Sequence, residues 1–536
     1  MDLNLSALPY PSVRQPLFAP RGVVATSQPL AAQAGLAMLQ RGGNAVDAAI
    51  ATAAALTVLE PTSNGIGGDA FVLVWDGATL HGLNGSGRAP ARLTRDLLRQ
   101  HGHATIPARG WLPVTVPGAP AAWRDLHQRF GRLRFTALFE PAISYAEQGY
   151  PLSPTLAHYW GVAARAYRDL SGAEFGGWAA TFAPAGRAPV AGEIWSSRGH
   201  ARTLSLIAET QAEDFYRGEI AQSIVRFAAQ TGGLLTAHDL AQHVSSWVQP
   251  ISTRYRGYDV WEIPPNGQGL AALLALNILD GLPLDQHPRE SWQSYHYQIE
   301  AIKLAFADAH HYIADPEHAE VPTEALLHPE YAASRRAMIS EQAIECAPGD
   351  PLQGGTVYLC AADMDGMMVS LIQSNYMGFG SGVVVPGTGV ALQNRGLGFS
   401  LEPGHLNELK PGKRPFHTII PGFLTRDGAA VGPFGVMGGH MQPQGHVQMV
   451  VNTLDYGLNP QASLDAPRWY WAQGRDIEVE AGVSDEIVQQ LRQRGHNVAV
   501  AQERGTFGRG QIIWRLPSGA YVAGSDSRTD GYAVGY

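Results

Sequence analysis

Apolar positions recur with the period of helices early in the chain and with the pattern of strands later on. Ser27 and Asn44 stand at N-cap positions before two apolar stretches that Gly42–Gly43 separates. The second stretch, Ala45–Leu59, is so rich in alanine that we expect a helix packed closely on several sides. A glycine-rich turn then leads into Ala70–Trp75, whose continuous apolar run predicts a buried strand.

The rest of the chain divides into a helical middle and a strand-rich end. Phe135–Ala343 has mainly the period of helices, and we expect it to act as scaffold. Further along, Thr356–Ala362 and Met367–Gln373 are apolar runs joined by Asp363–Gly366, which predicts a β-hairpin. Helices and sheet, then helices, then sheet again, with no linker between them, suit an α/β fold with four αββα layers.

Composition and charge exclude several classes of protein. The 536 residues are 45% apolar and 16% charged, which allows a large buried core and argues against disorder. The net charge is −9 and no basic run is longer than Arg335–Arg336, so nucleic acid is not an expected partner. The first residues lack a secretory signal, and no stretch reaches the roughly 20 apolar residues of a membrane span. We therefore expect a cytoplasmic protein without a membrane partner.

The sequence predicts neither a metal nor a cofactor. Cys346 and Cys360 do not form a Cys-x-x-Cys pair, so they indicate no disulfide framework or zinc site, and we expect small buried hydrophobic side chains. Gly378–Gly382 has the glycine spacing of a dinucleotide-binding loop. Because apolar residues follow it instead of a helix, that function is not favoured.

The junction Gln353-Gly-Gly-Thr-Val-Tyr358 carries the main chemical hypothesis. Gly-Gly-Thr alone is most often a turn before a strand. A threonine in this position can also attack the carbonyl of Gly355 and give an ester that water cleaves. The freed α-amino group of Thr356, with an ordinary pKa of roughly 7.7 to 8.0, could then take the proton of its own hydroxyl.

Several ordered motifs decide between these interpretations, because together they resemble the γ-glutamyltransferase family. They are Arg41–Ala49, Glu60–Gly68, Asp363–Gly366, Phe379–Gly382, Pro411–Pro415, Gly438–Gly439 and the ending from Ser525 to Tyr536. The match runs from about residue 22 to residue 536. It implies the αββα fold of N-terminal-nucleophile hydrolases and a precursor cut between Gly355 and Thr356. The large fragment, 1–355, and the small fragment, 356–536, would stay associated as one αββα domain.

The same resemblance implies the catalytic residues. Thr356 would be nucleophile and base, and Ser374 stands where the family has a threonine that assists the nucleophile. The backbone N–H groups of Gly438 and Gly439 would face the oxyanion. Val357–Tyr358 departs from the Thr-His that follows the nucleophile in the family.

The positions that bind a γ-glutamyl donor are altered. Ser86 replaces the family's carboxylate-binding arginine, although Arg88, two residues later, could swing in instead. The family's amine-binding aspartate falls on Gly398. The remaining changed positions, which we expect to bind substrate, are Tyr376, Arg395, His417 and Thr418.

Because the family's amine-binding aspartate is replaced and Arg395 is introduced, the pocket should bind an ammonium poorly and a carboxylate well. We therefore expect a small carboxylated amide as substrate, as in the oxamate amidohydrolase branch, which converts oxamate to oxalate and ammonia. The alternative is a γ-glutamyltransferase or glutathione hydrolase. A second alternative is a non-catalytic binding protein, since Val357–Tyr358 could impair self-cleavage. Whether the protein forms a homo-oligomer is left open.

Overall fold

The computed structural model describes residues 14–345 and 355–536. Its strands are β1 Leu17–Ala19, β2 Val23–Thr26, β3 Asp69–Trp75, β4 Leu80–Asn84, β5 Tyr150–Pro151, β6 Ile194–Trp195, β7 Ser246–Val248, β8 Ile251–Tyr255, β9 Tyr258–Glu262, β10 Gly355–Ala362, β11 Met368–Tyr376, β12 Gly422–Arg426, β13 Ala429–Met437, β14 Trp469–Gln473, β15 Asp476–Glu480, β16 Asn497–Ala501, β17 Arg509–Arg515, β18 Tyr521–Ser525 and β19 Tyr532–Gly535.

The helices are α1 Pro29–Gln40, α2 Ala45–Leu59, α3 Arg95–Gln100, α4 Ala119–Phe130, α5 Phe135–Gln148, α6 Pro154–Tyr167, α7 Gly176–Phe182, α8 Arg198–Thr210, α9 Glu213–Arg217, α10 Glu219–Thr231, α11 Ala237–Ala241, α12 Gly269–Asp280, α13 Trp292–Tyr312, α14 Thr323–Leu326, α15 Pro329–Arg336, α16 Met441–Leu454, α17 Pro460–Asp465 and α18 Asp485–Gln493. Within the described ranges, no helix combines the length and apolar character that crossing a bilayer requires.

Two seven-stranded antiparallel sheets form the centre of the molecule. One has the order β1-β18-β17-β13-β12-β9-β8 and the other β19-β2-β10-β11-β3-β4-β7. An apolar core lies between them, to which Phe71 of β3 and Ile513 of β17 contribute. A second core joins one sheet to α2 and α5, and a third joins the other sheet to α12, α13 and α16. This arrangement confirms the four-layer αββα sandwich.

The first helices show how local sequence sets the fold. In α2 the side chain of Asn44 accepts from Asp47 N while Asp47 accepts from Asn44 N, which completes a capping box, and every residue of the helix is buried. The predicted cap of α1 is wrong by one residue. Gln28 caps that helix, because the hydroxyl of Ser27 instead donates to the buried carboxylate of Glu60.

The predicted hairpin is confirmed and lies in the middle of its sheet. It consists of β10 and β11, with β2 and β3 on its two sides. Asp363 Oδ1 accepts from Asp365 N and Met367 N in the turn, and Gly366 has a φ of 88°, which suits glycine. The second strand runs on to Tyr376, three residues beyond the predicted end. The helical middle is also confirmed in the main, although the five short strands β5 to β9 within it were not predicted.

The cysteine expectation is confirmed for Cys360. This side chain is fully buried in β10, and burial raises the pKa of its thiol well above the ordinary value. Cys346 lies outside the described residues, as do Gln353 and Gly354 of the junction before Thr356.

The motif at the end of the chain belongs to a buried ion network. Asp526 accepts from Arg468 Nη2 at 2.6 Å and from Arg528 Nη1 at 3.1 Å. Arg528 Nε also donates to Glu480 at 2.7 Å. Burial alone would raise the pKa of Asp526, but the two arginines hold it at about 2. The Ser525–Arg528 motif therefore stabilises the fold.

Candidate active site

Thr356 is the second residue of β10 and is fully buried. The ladder between β10 and β11 shifts here. Gly355 lies opposite Tyr376 and Val357 opposite Gln373, so Ser374 and Asn375 together face Thr356 and form a β-bulge in β11. Bulges are common next to active sites because they re-aim a side chain. The Thr356 hydroxyl donates to Ser374 Oγ at 3.1 Å.

Ser374 contacts both groups that would react in self-cleavage, the carbonyl of Gly355 and the hydroxyl of Thr356. Its hydroxyl donates to the carbonyl oxygen of Gly355 at 2.7 Å while accepting from the Thr356 hydroxyl. The first contact would stabilise negative charge on the carbonyl oxygen as Thr356 attacks. The second would help the nucleophile lose its proton. Ser374 thus lies where the resemblance to the family places an assisting hydroxyl.

The backbone at the end of β11 holds Ser374 in place. Tyr376 has a φ of 76°, in the left-handed region that a bulky residue seldom adopts. This conformation returns the Tyr376 N–H to Ser374 Oγ at 2.7 Å. A strained non-glycine residue costs of the order of 1–3 kcal/mol and typically occurs at functional sites.

Arg395 brings a buried positive charge next to the nucleophile. It opens a single turn of 3₁₀ helix and is only 1% exposed. Its Nη2 donates to Ser374 Oγ at 3.2 Å and its Nη1 to Thr418 Oγ1 at 2.6 Å, while the Tyr376 ring centre lies 4.3 Å from Cζ. Burial lowers the pKa of Arg395 to about 10, so the guanidinium stays charged near neutral pH.

Arg395 has no carboxylate partner within the part of the chain that the structure describes. No carboxylate oxygen lies within 4 Å of its nitrogens among residues 14–345 and 355–536, and its buried Nε makes no hydrogen bond there. Four of the substrate residues expected from the sequence thus lie together, namely Tyr376, Arg395, Thr418 and His417. The side chain of His417 is connected to this group through a further residue.

That residue is Asp69, which the sequence analysis did not assign to the site. It begins β3 directly opposite Ser374. Its Oδ2 accepts from His417 Nε2 at 3.0 Å, and both side chains are fully buried. Burial raises the pKa of Asp69 to about 7, against the hydrogen bond from Gln393 and the charge of Arg395. A carboxylate at the head of an otherwise apolar strand was the signal in the sequence.

Gly438 and Gly439 lie between β13 and the N-terminus of α16, with φ values of 133° and 61°. Gln268 Nε2 donates to Gly439 O at 2.9 Å and to Thr418 O at 2.5 Å, which ties the glycine pair to the residue that binds Arg395. Among the hydrogen bonds of the described residues, none is donated by the N–H of either glycine. Unused donors at a helix N-terminus suit an oxyanion site.

The other two expected substrate residues are engaged elsewhere. Ser86 Oγ donates to Asn84 Oδ1 at 2.6 Å. Arg88 pairs with Glu317 at 2.7 Å and lies 3.7 Å from Asp315. Within the described ranges neither side chain forms a hydrogen bond or ion pair with Thr356, Ser374 or Arg395, and a substrate role for the two residues stays a prediction.

The residues after the nucleophile have structural positions. Val357 packs in the core on the helical side of its sheet, and Tyr358 lies between the two sheets, where its hydroxyl shares a hydrogen bond with Ser370 Oγ at 2.7 Å. The departure at Val357–Tyr358 therefore leaves the contacts of Thr356 with Ser374 in place.

One group of described residues has the ligand types of a metal site. Donor atoms of His296, Glu300 and His496 lie within 4.8 Å of one another. However, Lys303 Nζ donates to Glu300 Oε1 at 2.7 Å, and its charge would repel a cation there. His296 Nδ1 and His496 Nε2 are 2.9 Å apart, close enough to share a proton. The arrangement favours a buried hydrogen-bond network that joins α13 to the segment before β16.

Known proteins are similar to this chain over most of its length. The family model described as gamma-glutamyltranspeptidase matches residues 31–536. A glutathione hydrolase-like YwrD proenzyme of Bacillus subtilis is 38% identical over 94% of this chain and 97% of its own. An oxamate amidohydrolase proenzyme of Klebsiella pneumoniae is 34% identical over 96% and 98%. The crystal structure of a cephalosporin acylase from Bacillus halodurans superposes with a TM-score of 0.97 at 56% identity, over 100% of this chain and 99% of that one.

Proposed function

This chain belongs to the gamma-glutamyltranspeptidase family as a self-cleaving amidohydrolase, and on that premise we propose that it hydrolyses amides whose acyl group carries a carboxylate bound by Arg395. One observation carries the proposal. Arg395 is buried and charged, it contacts Ser374, and no described carboxylate pairs with it. Burying an unpaired charge is costly, and a substrate carboxylate fits the fork of a guanidinium.

Maturation would use the contacts already in place. Thr356 Oγ1 adds to the carbonyl carbon of Gly355, and the developing oxyanion keeps its hydrogen bond from Ser374. The C–N bond breaks as the proton moves to the leaving nitrogen, which gives an ester. Water then hydrolyses the ester, so the large fragment ends at Gly355 and the small fragment begins with the free amine of Thr356.

Turnover would repeat this chemistry on a substrate. The α-amino group of Thr356 takes the hydroxyl proton, and the oxygen attacks the substrate amide while the N–H groups of Gly438 and Gly439 hold the oxyanion. The proton passes to the leaving amine or ammonia. Water then cleaves the acyl-enzyme and releases the acid.

Arg395 and the nucleophile are close together, which favours a short acyl group. Arg395 Nη2 lies 3.2 Å from Ser374 Oγ, which is itself 3.1 Å from Thr356 Oγ1. In oxamate the carboxylate is attached directly to the amide carbonyl, so oxamate is the first candidate.

A γ-glutamyl donor is the second candidate and has the stronger support from similarity. The glutathione hydrolase-like relative is 38% identical, against 34% for the oxamate amidohydrolase. Glutathione also carries an α-carboxylate for Arg395. The similarity to a cephalosporin acylase adds a third amide to test, a cephalosporin whose acyl side chain carries a carboxylate.

The test is a kinetic comparison on the matured enzyme with oxamate, glutathione and a cephalosporin, together with ethyl oxamate, which lacks the carboxylate. We expect oxamate to be hydrolysed with a much higher kcat/KM than its ester. Arg395→Met should remove that preference, whereas Arg88→Met, a matched change of an arginine already paired with Glu317, should keep it. Equal rates on oxamate and its ester would overturn the proposal, and a preference for glutathione would select the second candidate.

A further inference from the structure

Asp69 and His417 form a buried pair beside Arg395. Asp69 Oδ1 accepts from Gly87 N at 3.1 Å, Gly118 N at 3.0 Å and Gln393 Nε2 at 2.9 Å. Its Oδ2 takes the remaining contact, from His417 Nε2. Four polar groups are thus arranged around one carboxylate that has no access to solvent.

The pair is joined to Arg395 at both ends. Asp69 lies opposite Ser374 in the sheet, and Ser374 accepts from Arg395 Nη2. His417 is followed by Thr418, which accepts from Arg395 Nη1. Asp69 is the acidic side chain whose charge acts on Arg395, although it forms no ion pair with it. One cation and one anion therefore balance this part of the interior while the site is empty.

A bound carboxylate changes that balance. It would pair with Arg395 directly and bring a second negative charge near Asp69, leaving one excess anion in a medium of low dielectric constant. When two carboxylates share one cation, the proton affinity rises for the carboxylate that does not pair directly with the cation. Here that carboxylate is Asp69, because the substrate carboxylate would form the ion pair with Arg395.

We propose that binding of a substrate carboxylate to Arg395 is coupled to uptake of one proton by the Asp69–His417 pair, which makes Asp69 a positioning residue for substrate binding. This inference rests on the proposed role of Arg395. In chemical terms, the pair lets a buried site accept an anion without gaining net charge.

The surroundings of Asp69 make it the group that responds. Four titratable or charged side chains act on it or feel its charge, namely His417, Arg395, Tyr216 and Arg414. Burial lowers the pKa of His417 well below its ordinary value and raises that of Tyr216, so neither changes charge near pH 7 in the empty site. The pKa of Asp69, at about 7, allows a proton to be taken up there.

Calorimetric titration of the matured enzyme with oxalate tests the coupling, using buffers of different ionisation enthalpy at the same pH. At pH 7 we expect uptake of up to about half a proton per site, because a group with a pKa near 7 is already half protonated. At pH 5.5 the uptake should vanish. Asp69→Asn should abolish it at pH 7, and His417→Gln provides a second variant of the pair should the first fail to mature.

The outcomes separate this inference from the proposed function. No oxalate binding, or equal binding by wild type and Arg395→Met, would overturn the role of Arg395 itself. Arg395-dependent binding without proton uptake in the wild type would overturn the coupling alone, as would full uptake by Asp69→Asn, which would point to the α-amino group of Thr356. A kinetic sign should accompany the coupling. The KM of a carboxylated substrate should rise above pH 7 in the wild type but not in Asp69→Asn.

Discussion

Two buried arginines show opposite ways of holding a positive charge inside this protein. Arg528 contacts Asp526 and Glu480, and although burial alone would lower its pKa, these carboxylates raise it above the ordinary value. Arg395 is equally buried, but among the described residues its guanidinium contacts hydroxyls and an aromatic ring, and its pKa falls to about 10. The charge of Arg528 is paired within the fold, whereas that of Arg395 has no ion-pair partner among the described residues.

On the proposed function, this contrast separates a charge that stabilises the fold from one that would serve binding. Both arginines belong to segments that resemble family motifs or replace family residues, so the sequence pattern alone does not tell them apart. Their contacts do, because natural proteins satisfy buried polar groups except where function requires otherwise. Each of the two regions should therefore respond differently to mutation.

The largest effect should come from Thr356→Ala, which removes the nucleophile without touching either arginine. We expect no cleavage and no turnover, with the intact 57.5 kDa chain on denaturing gels and an unchanged melting temperature. Thr356→Ser should retain part of both activities because its hydroxyl remains. The small fragment of the wild type should begin with Thr-Val-Tyr-Leu, and a different N-terminus, or fragments from Thr356→Ala, would contradict this assignment.

Next in size is the loss of stability expected for Arg528→Met. The change leaves Asp526 and Glu480 short of a partner in the interior, and breaking a buried pair in this way costs about 3–5 kcal/mol. Denaturant unfolding measures the loss. Arg504→Met is the control, because Arg504 also pairs with Glu480 but is 53% exposed, so its loss should be below about 1 kcal/mol. Similar losses for the two variants would remove one side of the comparison.

Arg395→Met should show the reverse pattern, with function lost and stability kept. Self-cleavage and the free energy of unfolding should not fall, since the variant removes a buried charge that forms no ion pair among the described residues. For a carboxylated substrate, kcat/KM should drop by the equivalent of about 1.5–3 kcal/mol of transition-state binding, the range for hydrogen bonds to charged groups. A stability loss as large as that of Arg528→Met would show that Arg395 supports the fold instead.

The smallest expected effect is the acid sensitivity of the Asp526 network. The pKa of Asp526 is lowered from an ordinary 3.8 to about 2, so its contribution is present above pH 4 and is lost as the pH falls through 2. The loss is about 2 kcal/mol. Asp69 has a raised pKa and should act in the opposite direction, costing stability as the pH rises from 4 towards 7. Urea unfolding at several pH values, with Asp526→Asn as control, would measure both trends.

Local signals allowed much of the fold to be predicted, and distance along the chain limited the rest. The helix Ala45–Leu59 and the hairpin after Thr356 depend on neighbouring residues, and both are confirmed. The pair of Asp69 with His417 joins positions 348 residues apart, which no local pattern shows. The pairing of Arg88 with Glu317, which comes from a distant segment, was hidden from the sequence for the same reason.

The order of strands has a consequence for the life of the mature protein. In one sheet β10 and β11 lie between β2 and β3, while β19 covers the other edge of β2. A cut before Thr356 would therefore leave two polypeptides whose strands alternate within a single sheet. The two polypeptides could not separate without breaking the hydrogen bonds between strands of that sheet. Mature molecules should therefore not exchange subunits. Mixing two mature proteins with defects in different polypeptides should therefore not restore activity. Each molecule keeps the two polypeptides that were made from its own precursor.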